Sequence, residues 1–357
     1  MSRPQSPWSF RLATVSGIPI RVHFTFLLLL VWIGLPAGKD APRAIGIVVA
    51  VFACVLLHEL GHALTALKCG IGIRDITLYP IGGVAMLTGR PNPKQEFWIT
   101  IAGPAVNLAI VAVLAPIVWS TGQTLDFTAR LGEQSLVVAL LEANLFLFGF
   151  NMLPAFPMDG GRILRAVLAM RIGETKATSI AAGIGQFLAV VLFFLGVFGQ
   201  QIVLMIIAAF VFLGAGQEVA SAVGHSLTAN KLALDAMMTR FRTLSPNATL
   251  SEAATMVVQG WQQAFPVMLE GRVLGLLGRD ELAGAMTASG PDSYVGGAMR
   301  RDYRAVLPNT PLDSVLEMFA EDRTPILVMV EERLLGIITV ENLGEFMMLE
   351  RAKRGSA

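Results

Sequence analysis

Long apolar stretches separated by short polar ones fill the first two thirds of the chain. Near-continuous apolar runs cover 24–35, 44–67, 97–119, 135–153, 177–198 and 201–219, and each approaches the length a helix needs to cross ~30 Å of hydrocarbon. The first run is short and is expected to borrow residues 18–23. Over 71–88 the rhythm changes: β-branched and apolar residues interleave with Gly, Thr and Tyr and break at Pro80 and Gly82-Gly83. That pattern predicts a β-hairpin between the second and third runs. Beyond residue 232 short amphipathic units take over and a repeat emerges. Residues 236–247 match 298–309, aligning Arg242 with Arg304, and further on Gly275 aligns with Gly336 and Leu282 with Leu343. Each copy predicts a strand, a helix (250–259; 312–320), two strands around a Gly turn (266–277; 325–338) and a closing helix.

The expected fold class is therefore an α-helical polytopic membrane protein of about six transmembrane helices, with a short β-hairpin after the second, plus a tandem α/β module. The expected division is 1–222 for the membrane unit, 223–232 for a linker, 233–289 for the first repeat, and 290–357 for the second repeat and tail. Composition agrees with a membrane protein: 54% of residues are hydrophobic, 15% charged, and the mean hydropathy is +0.63. No cleavable signal peptide is expected, since the first apolar run starts late and runs on.

Charge sets the orientation. Eleven cations (Arg3, Arg11, Arg21, Lys68, Arg74, Arg90, Lys94, Arg162, Arg165, Arg171, Lys176) fall on one side of the six runs and only Lys39, Arg43 and Arg130 on the other. Both termini and the repeats are then expected in the cytoplasm, in a multi-pass plasma-membrane protein. A net charge of +1 offers no basic surface for nucleic acid. Two Cys make no disulfide framework, and Cys54 reads as a small core residue or a ligand.

Within the second run lies His58-Glu59-Leu60-Gly61-His62. Ionisable groups at bilayer depth are costly unless they pair or bind an ion. At 3.6 residues per turn His58 and His62 share a helix face as a pair of zinc ligands, with Glu59 beside them to take a proton from water. A catalytic zinc wants a third protein ligand. The segment 151–161 (N-M-L-P-A-F-P-M-D-G-G) supplies Asp159, where Pro154 and Pro157 break the fourth helix and Gly160-Gly161 allow close backbone approach. Capping a new helix from Gly160 onward is the alternative role for Asp159. The chemistry expected is attack on a peptide carbonyl, with Glu59 carrying the proton to the leaving nitrogen.

Several neighbours have two readings. The hairpin is either a template for an unwound substrate strand or a plain loop. Asn107 and Asn151 either bind substrate and the oxyanion or bond neighbouring helices. His23 reads as an interfacial histidine, and Arg162 and Arg165 as boundary residues reaching out of the bilayer.

Taken together, His58-Glu59-Leu60-Gly61-His62, the 151–161 segment with Asp159, Gly103-Pro104 with Asn107, and the opening Gly17–His23 resemble the site-2 protease family of intramembrane zinc metalloproteases, in the prokaryotic form that carries tandem CBS domains. The resemblance implies His58, His62 and Asp159 as ligands of one zinc per chain and Glu59 as catalytic. It also implies single-span membrane substrates, such as an anti-sigma factor or a membrane-tethered precursor. The repeat resembles a CBS pair, a module implied to bind adenine nucleotide or to form a homodimer. At the nucleotide motif the usual Ser/Thr-x-x-Asp is replaced by Gly278-Arg279-Asp280-Glu281 and Thr339-Val340-Glu341-Asn342, leaving Glu281 and Thr339 as the nucleotide-binding candidates. A CBS-regulated metal-ion transporter or channel is the alternative function.

Overall fold

The computed structural model describes residues 8–127, 134–260 and 262–355; Arg3 and Arg130 of the charge count lie outside them. The chain forms two compact units, Met1–Ala222 and Val223–Ala357.

The first unit carries strands β1 (Ser9–Val15), β2 (Ile18–His23), β3 (Ile73–Tyr79) and β4 (Gly82–Leu87), helices α1 (Phe24–Ala37), α2 (Ala41–Lys68), α3 (Pro93–Ser120), α4 (Leu136–Asn151), α5 (Asp159–Ile172) and α6 (Glu174–Phe198), and all but the last six residues of α7 (Ile202–Thr228). Every apolar run becomes a helix. Among the described residues four stretches are long and apolar enough to cross a membrane, Phe24–Lys68, Pro93–Ser120, Glu174–Phe198 and Ile202–Thr228, and α4 is a shorter apolar helix. Their outward faces are greasy, as Trp32, Phe187 and Leu213 illustrate, which suits lipid and would be a large apolar liability in water.

One expectation fails here. Residues 18–23 do not extend the first span; they are β2, paired antiparallel with β1 and parallel with β3. Ser16 and Gly17 both have positive φ (50° and 82°), the backbone that a two-residue hairpin turn requires. The expected 71–88 hairpin forms as β3 and β4, so the sheet runs β1-β2-β3-β4 with β4 at an edge. Alternation puts Ile18, Ile76 and Ala85 on one face, where they pack on Leu56, Leu60 and Ala63 of α2. Without the six residues of β2, α1 has 14 residues and rises only about 21 Å, and a single 3₁₀ turn, Gly38–Asp40, joins it to α2.

The second unit holds the repeats. Helices Leu250–Gln259 and Leu312–Glu321, hairpins Ala264–Leu269/Arg272–Gly278 and Ile326–Val330/Arg333–Ile338, and closing helices Arg279–Ser289 and Val340–Gly355 follow the expected order. The opening strand forms in the second copy (Arg304–Val306) but shrinks in the first to one bridge, Leu244 with Val267. Residues 223–228 of the expected linker are helical.

Each copy begins on the other. The Ala233 and Leu234 amides bond Thr310 and Pro308 carbonyls, and the Val295 and Gly296 amides bond Ala248 and Pro246 carbonyls. A shared core of Ala264, Leu276, Leu327, Met329 and Ile337 fills the centre. The matched glycines explain themselves: a Cβ on Gly275 would lie 2.3 Å from the Arg300 carbonyl oxygen, and one on Gly336 2.9 Å from that of Met238.

Candidate active site

α2 places His58 and His62 one turn apart, on a face that looks at α3 and the start of α5. α4 ends at Asn151, and the irregular stretch containing Pro154 and Pro157 leads to Asp159, the first residue of α5. Its cap residue is Met158, so Asp159 is the first helical residue and does not occupy the cap position. Glycines let the loop fold against the helix start. A Cβ on Gly160 would lie 2.3 Å from the Leu153 carbonyl oxygen, and one on Gly161 2.6 Å from the Phe156 nitrogen. Ala155 and Met158 anchor the loop on Ala189 of α6 and Val211 of α7.

The three side chains meet. Asp159 Oδ2 lies 3.2 Å from His58 Nε2 and 3.3 Å from His62 Nε2, and the two Nε2 atoms are 3.0 Å apart. Gly103 of α3 backs onto them so closely that a Cβ would fall 2.2 Å from His62 Nε2. The far ring nitrogens are both engaged by oxygens that only accept. His62 Nδ1 donates to the Ile99 carbonyl (2.8 Å), and His58 Nδ1 to Asn107 Oδ1 (2.5 Å). In the neutral imidazoles both Nε2 atoms therefore present lone pairs. Two lone pairs and a buried carboxylate oxygen that accepts no hydrogen bond converge on one another.

That arrangement fits a cation. Zinc bonds of 2.0–2.2 Å to N and O place tetrahedral ligand atoms about 3.3 Å apart, close to the spacings found, and His58, His62 and Asp159 form a group able to hold a metal ion. Cys54 is buried outside this group. His23 stands apart too, accepting from the Thr25 amide at the start of α1 and stacking near Tyr79.

Glu59 follows His58 on α2 and is half-buried. The edge strand β4 passes directly over it: a Cβ on Gly83 would lie 2.4 Å from Glu59 Cγ. Asn151 is half-buried at the end of α4. Asn107 is different. It has no exposed surface, and its side chain bonds neighbouring helices, accepting from His58 of α2 and donating from its amide nitrogen to Asn144 Oδ1 of α4 (2.8 Å). Asn144, equally buried, was not singled out by sequence; its one signal is an amide in the middle of an apolar run.

Arg165 also departs from expectation. Its guanidinium turns inward between Glu96 of α3 and Glu218 of α7, bonding Glu96 closely and Glu218 at 3.2 Å. Arg162 is exposed, as a boundary residue should be.

With this geometry in hand, the chain can be set beside known proteins. Residues 46–195 match Peptidase family M50, and 233–288 and 295–348 each match the CBS domain. A zinc metalloprotease of Methanocaldococcus jannaschii, MJ0392, is 37% identical over 272 residues, covering 76% of this chain and 78% of the relative. The CBS domain-containing protein YhcV of Bacillus subtilis is 31% identical over 112 residues, 30% of this chain and 80% of that protein. A solved site-2 protease, also from Methanocaldococcus jannaschii, shares 41% identity over 59% of this chain and 95% of its own, with a TM-score of 0.46. The chain belongs to peptidase family M50. It is a multi-pass membrane metalloprotease with a tandem CBS module, which sets the transporter alternative aside.

In the second unit Glu281 and Thr339 border one cavity of about 400 Å³, together with Arg279, Asp280, Arg300 and Arg323. Glu281 stands 3.8 Å from the Arg300 guanidinium. The Thr339 hydroxyl donates to Asn342 Oδ1 (2.8 Å). Arg300 is held more strongly protonated than usual, first by its bond to Asp302.

Proposed function

We propose that His58, His62 and Asp159 hold one zinc ion per chain, and that Glu59 is the base for hydrolysis of a peptide bond within or near the membrane segment of a single-span protein. The observation that carries this reading is the convergence of two imidazole lone pairs on a carboxylate oxygen that accepts no hydrogen bond. A zinc ion held there supplies Lewis acidity and lowers the pKa of water toward neutrality. Glu59 takes the proton that water gives up and returns it to the leaving nitrogen. Asn151, at the broken end of α4, offers its amide N–H to the developing oxyanion. Asp159 and the two imidazoles are held by packing before substrate arrives, so little reorganisation is left for the reaction itself.

A substrate helix in lipid has its amides satisfied internally and must unwind to be cut. The edge position of β4, with Gly83 against Glu59, supports capture of the unwound segment as an added strand alongside the base. Substrates of this kind include anti-sigma factors and membrane-tethered precursors.

The CBS module binds adenine nucleotide in the cavity bordered by Glu281 and Thr339, where Arg279, Arg300 and Arg323 are available to phosphate and Asp280, Glu281, Asp322 and Glu341 to ribose hydroxyls. Dimerisation through the module is the other role, and sedimentation of the full chain with and without ATP separates them. The charge asymmetry supports a cytoplasmic location for both termini and the module.

The test is purified protein in liposomes with a panel of single-span reporters, beside Glu59→Gln. The parent is expected to contain zinc and cut, and Glu59→Gln to keep the metal while losing about 10²–10⁴-fold in rate. Retained cleavage in Glu59→Gln overturns the assigned base.

A further inference from the structure

The hydrogen bond that fixes His58 does not end at Asn107. Asn107 Nδ2 donates to Asn144 Oδ1 (2.8 Å), and Asn144 Nδ2 donates to the Leu140 carbonyl (2.8 Å). Neither asparagine exposes any surface, so water does not reach them to compete. An amide can be turned end for end at little steric cost, and its two ends have opposite hydrogen-bonding character. Something must select the direction, and here the far terminus does. The Leu140 carbonyl only accepts, so Asn144 must point its nitrogen toward it and its oxygen toward Asn107. Asn107 must then point its nitrogen at Asn144 and its oxygen at His58. His58 in turn carries its proton on Nδ1, and its Nε2 lone pair is left facing Asp159 and His62.

We infer that Asn144 is a positioning residue for the metal site, acting through Asn107 by dictating which end of that amide faces His58. The inference rests on the metal-site reading above. Its consequence is specific to polarity: with Asn144 gone, Asn107 can present either end to the imidazole, and one of the two leaves the His58 proton on Nε2, where a metal belongs. His62 has no such dependence, because its Nδ1 partner is a backbone carbonyl.

The experiment measures zinc affinity of the full-length, detergent-solubilised protein by competition with a chromogenic chelator. The thermal melt of each zinc-free form serves as the folding control. Asn144→Leu is expected to weaken zinc binding about 10–100-fold, the usual scale for losing the group that orients a metal-bound imidazole. If Asn144→Leu fails to melt cooperatively, Asn144→Ala carries the same comparison. The decisive variant is Asn107→Asp combined with Asn144→Leu. A carboxylate can only accept from His58 Nδ1, whichever way it turns, so zinc affinity should return to within a few-fold of the parent. Parent protein that takes up no zinc sinks the metal-site reading and the inference with it. Zinc binding within twofold of the parent in Asn144→Leu overturns the positioning role while leaving the metal site standing. A loss that Asn107→Asp does not rescue assigns Asn144 to packing and overturns it too.

Discussion

Two of the clusters of ionisable side chains among the described residues of the membrane unit are balanced differently. Toward the end of α2, two imidazoles and Asp159 converge, and among the described residues no Lys or Arg is paired with that carboxylate. Across α3, α5 and α7, Arg165 sits between Glu96 and Glu218 and brings its cation with it. Charges in a poorly solvated interior must be compensated. The second cluster holds one cation between two carboxylates and has the character of a fastener between helices, whereas the first, on the reading proposed above, takes its cation from outside. Burial alone therefore does not mark a site; the kind of donors that converge does.

Substitutions can break this contrast from either side. The largest effect is expected at Asp159→Asn, which removes the anion from the open cluster: zinc should be lost on dialysis and cleavage fall to background, measured by metal analysis and reporter cleavage. Next comes Arg165→Met, which strands two carboxylates and should destabilise by about 3–5 kcal/mol. Its zinc stoichiometry should stay at one, and adding Glu96→Gln and Glu218→Gln should restore most of the melting temperature. A smaller effect is expected at Gly83→Ala, where the new methyl pushes Glu59 aside; kcat should drop about tenfold, equivalent to about 1.4 kcal/mol, with zinc retained.

The smallest belongs to a third setting, charges at a water-exposed surface. The Asp322 carboxyl is held below its ordinary value chiefly by the Thr324 hydroxyl, which donates at 2.6 Å. A depressed carboxyl contributes stability above its unfolded pKa and loses it as pH falls through the folded one. Acid titration of the melting temperature should thus show a slightly flatter limb in Asp322→Asn, and an effect as large as that of Arg165→Met would erase the distinction between buried and screened charge.

What the sequence disclosed follows from range. His58 and His62 are one helical turn apart, so spacing sufficed, and the 71–88 hairpin and the repeat carried local signals. Asp159 was reachable because prolines and glycines announce broken helix. β2 was misread although Ile18, Ile20 and Val22 alternate with polar or turn residues; the adjoining apolar run masked a period of two. Arg165 was misassigned because its partners lie 69 and 53 positions away, and nothing local distinguishes an inward arginine from one at the boundary. Asn144 escaped for the same reason: its importance arises from Asn107 on another helix.

The exchange of opening segments between the CBS repeats has an evolutionary corollary. Since each half is seated on its twin through the Ala233, Leu234, Val295 and Gly296 amides, a truncation that deletes one half strips the survivor of its lid. A pair seated this way is expected to be gained or lost more readily as a unit than by halves.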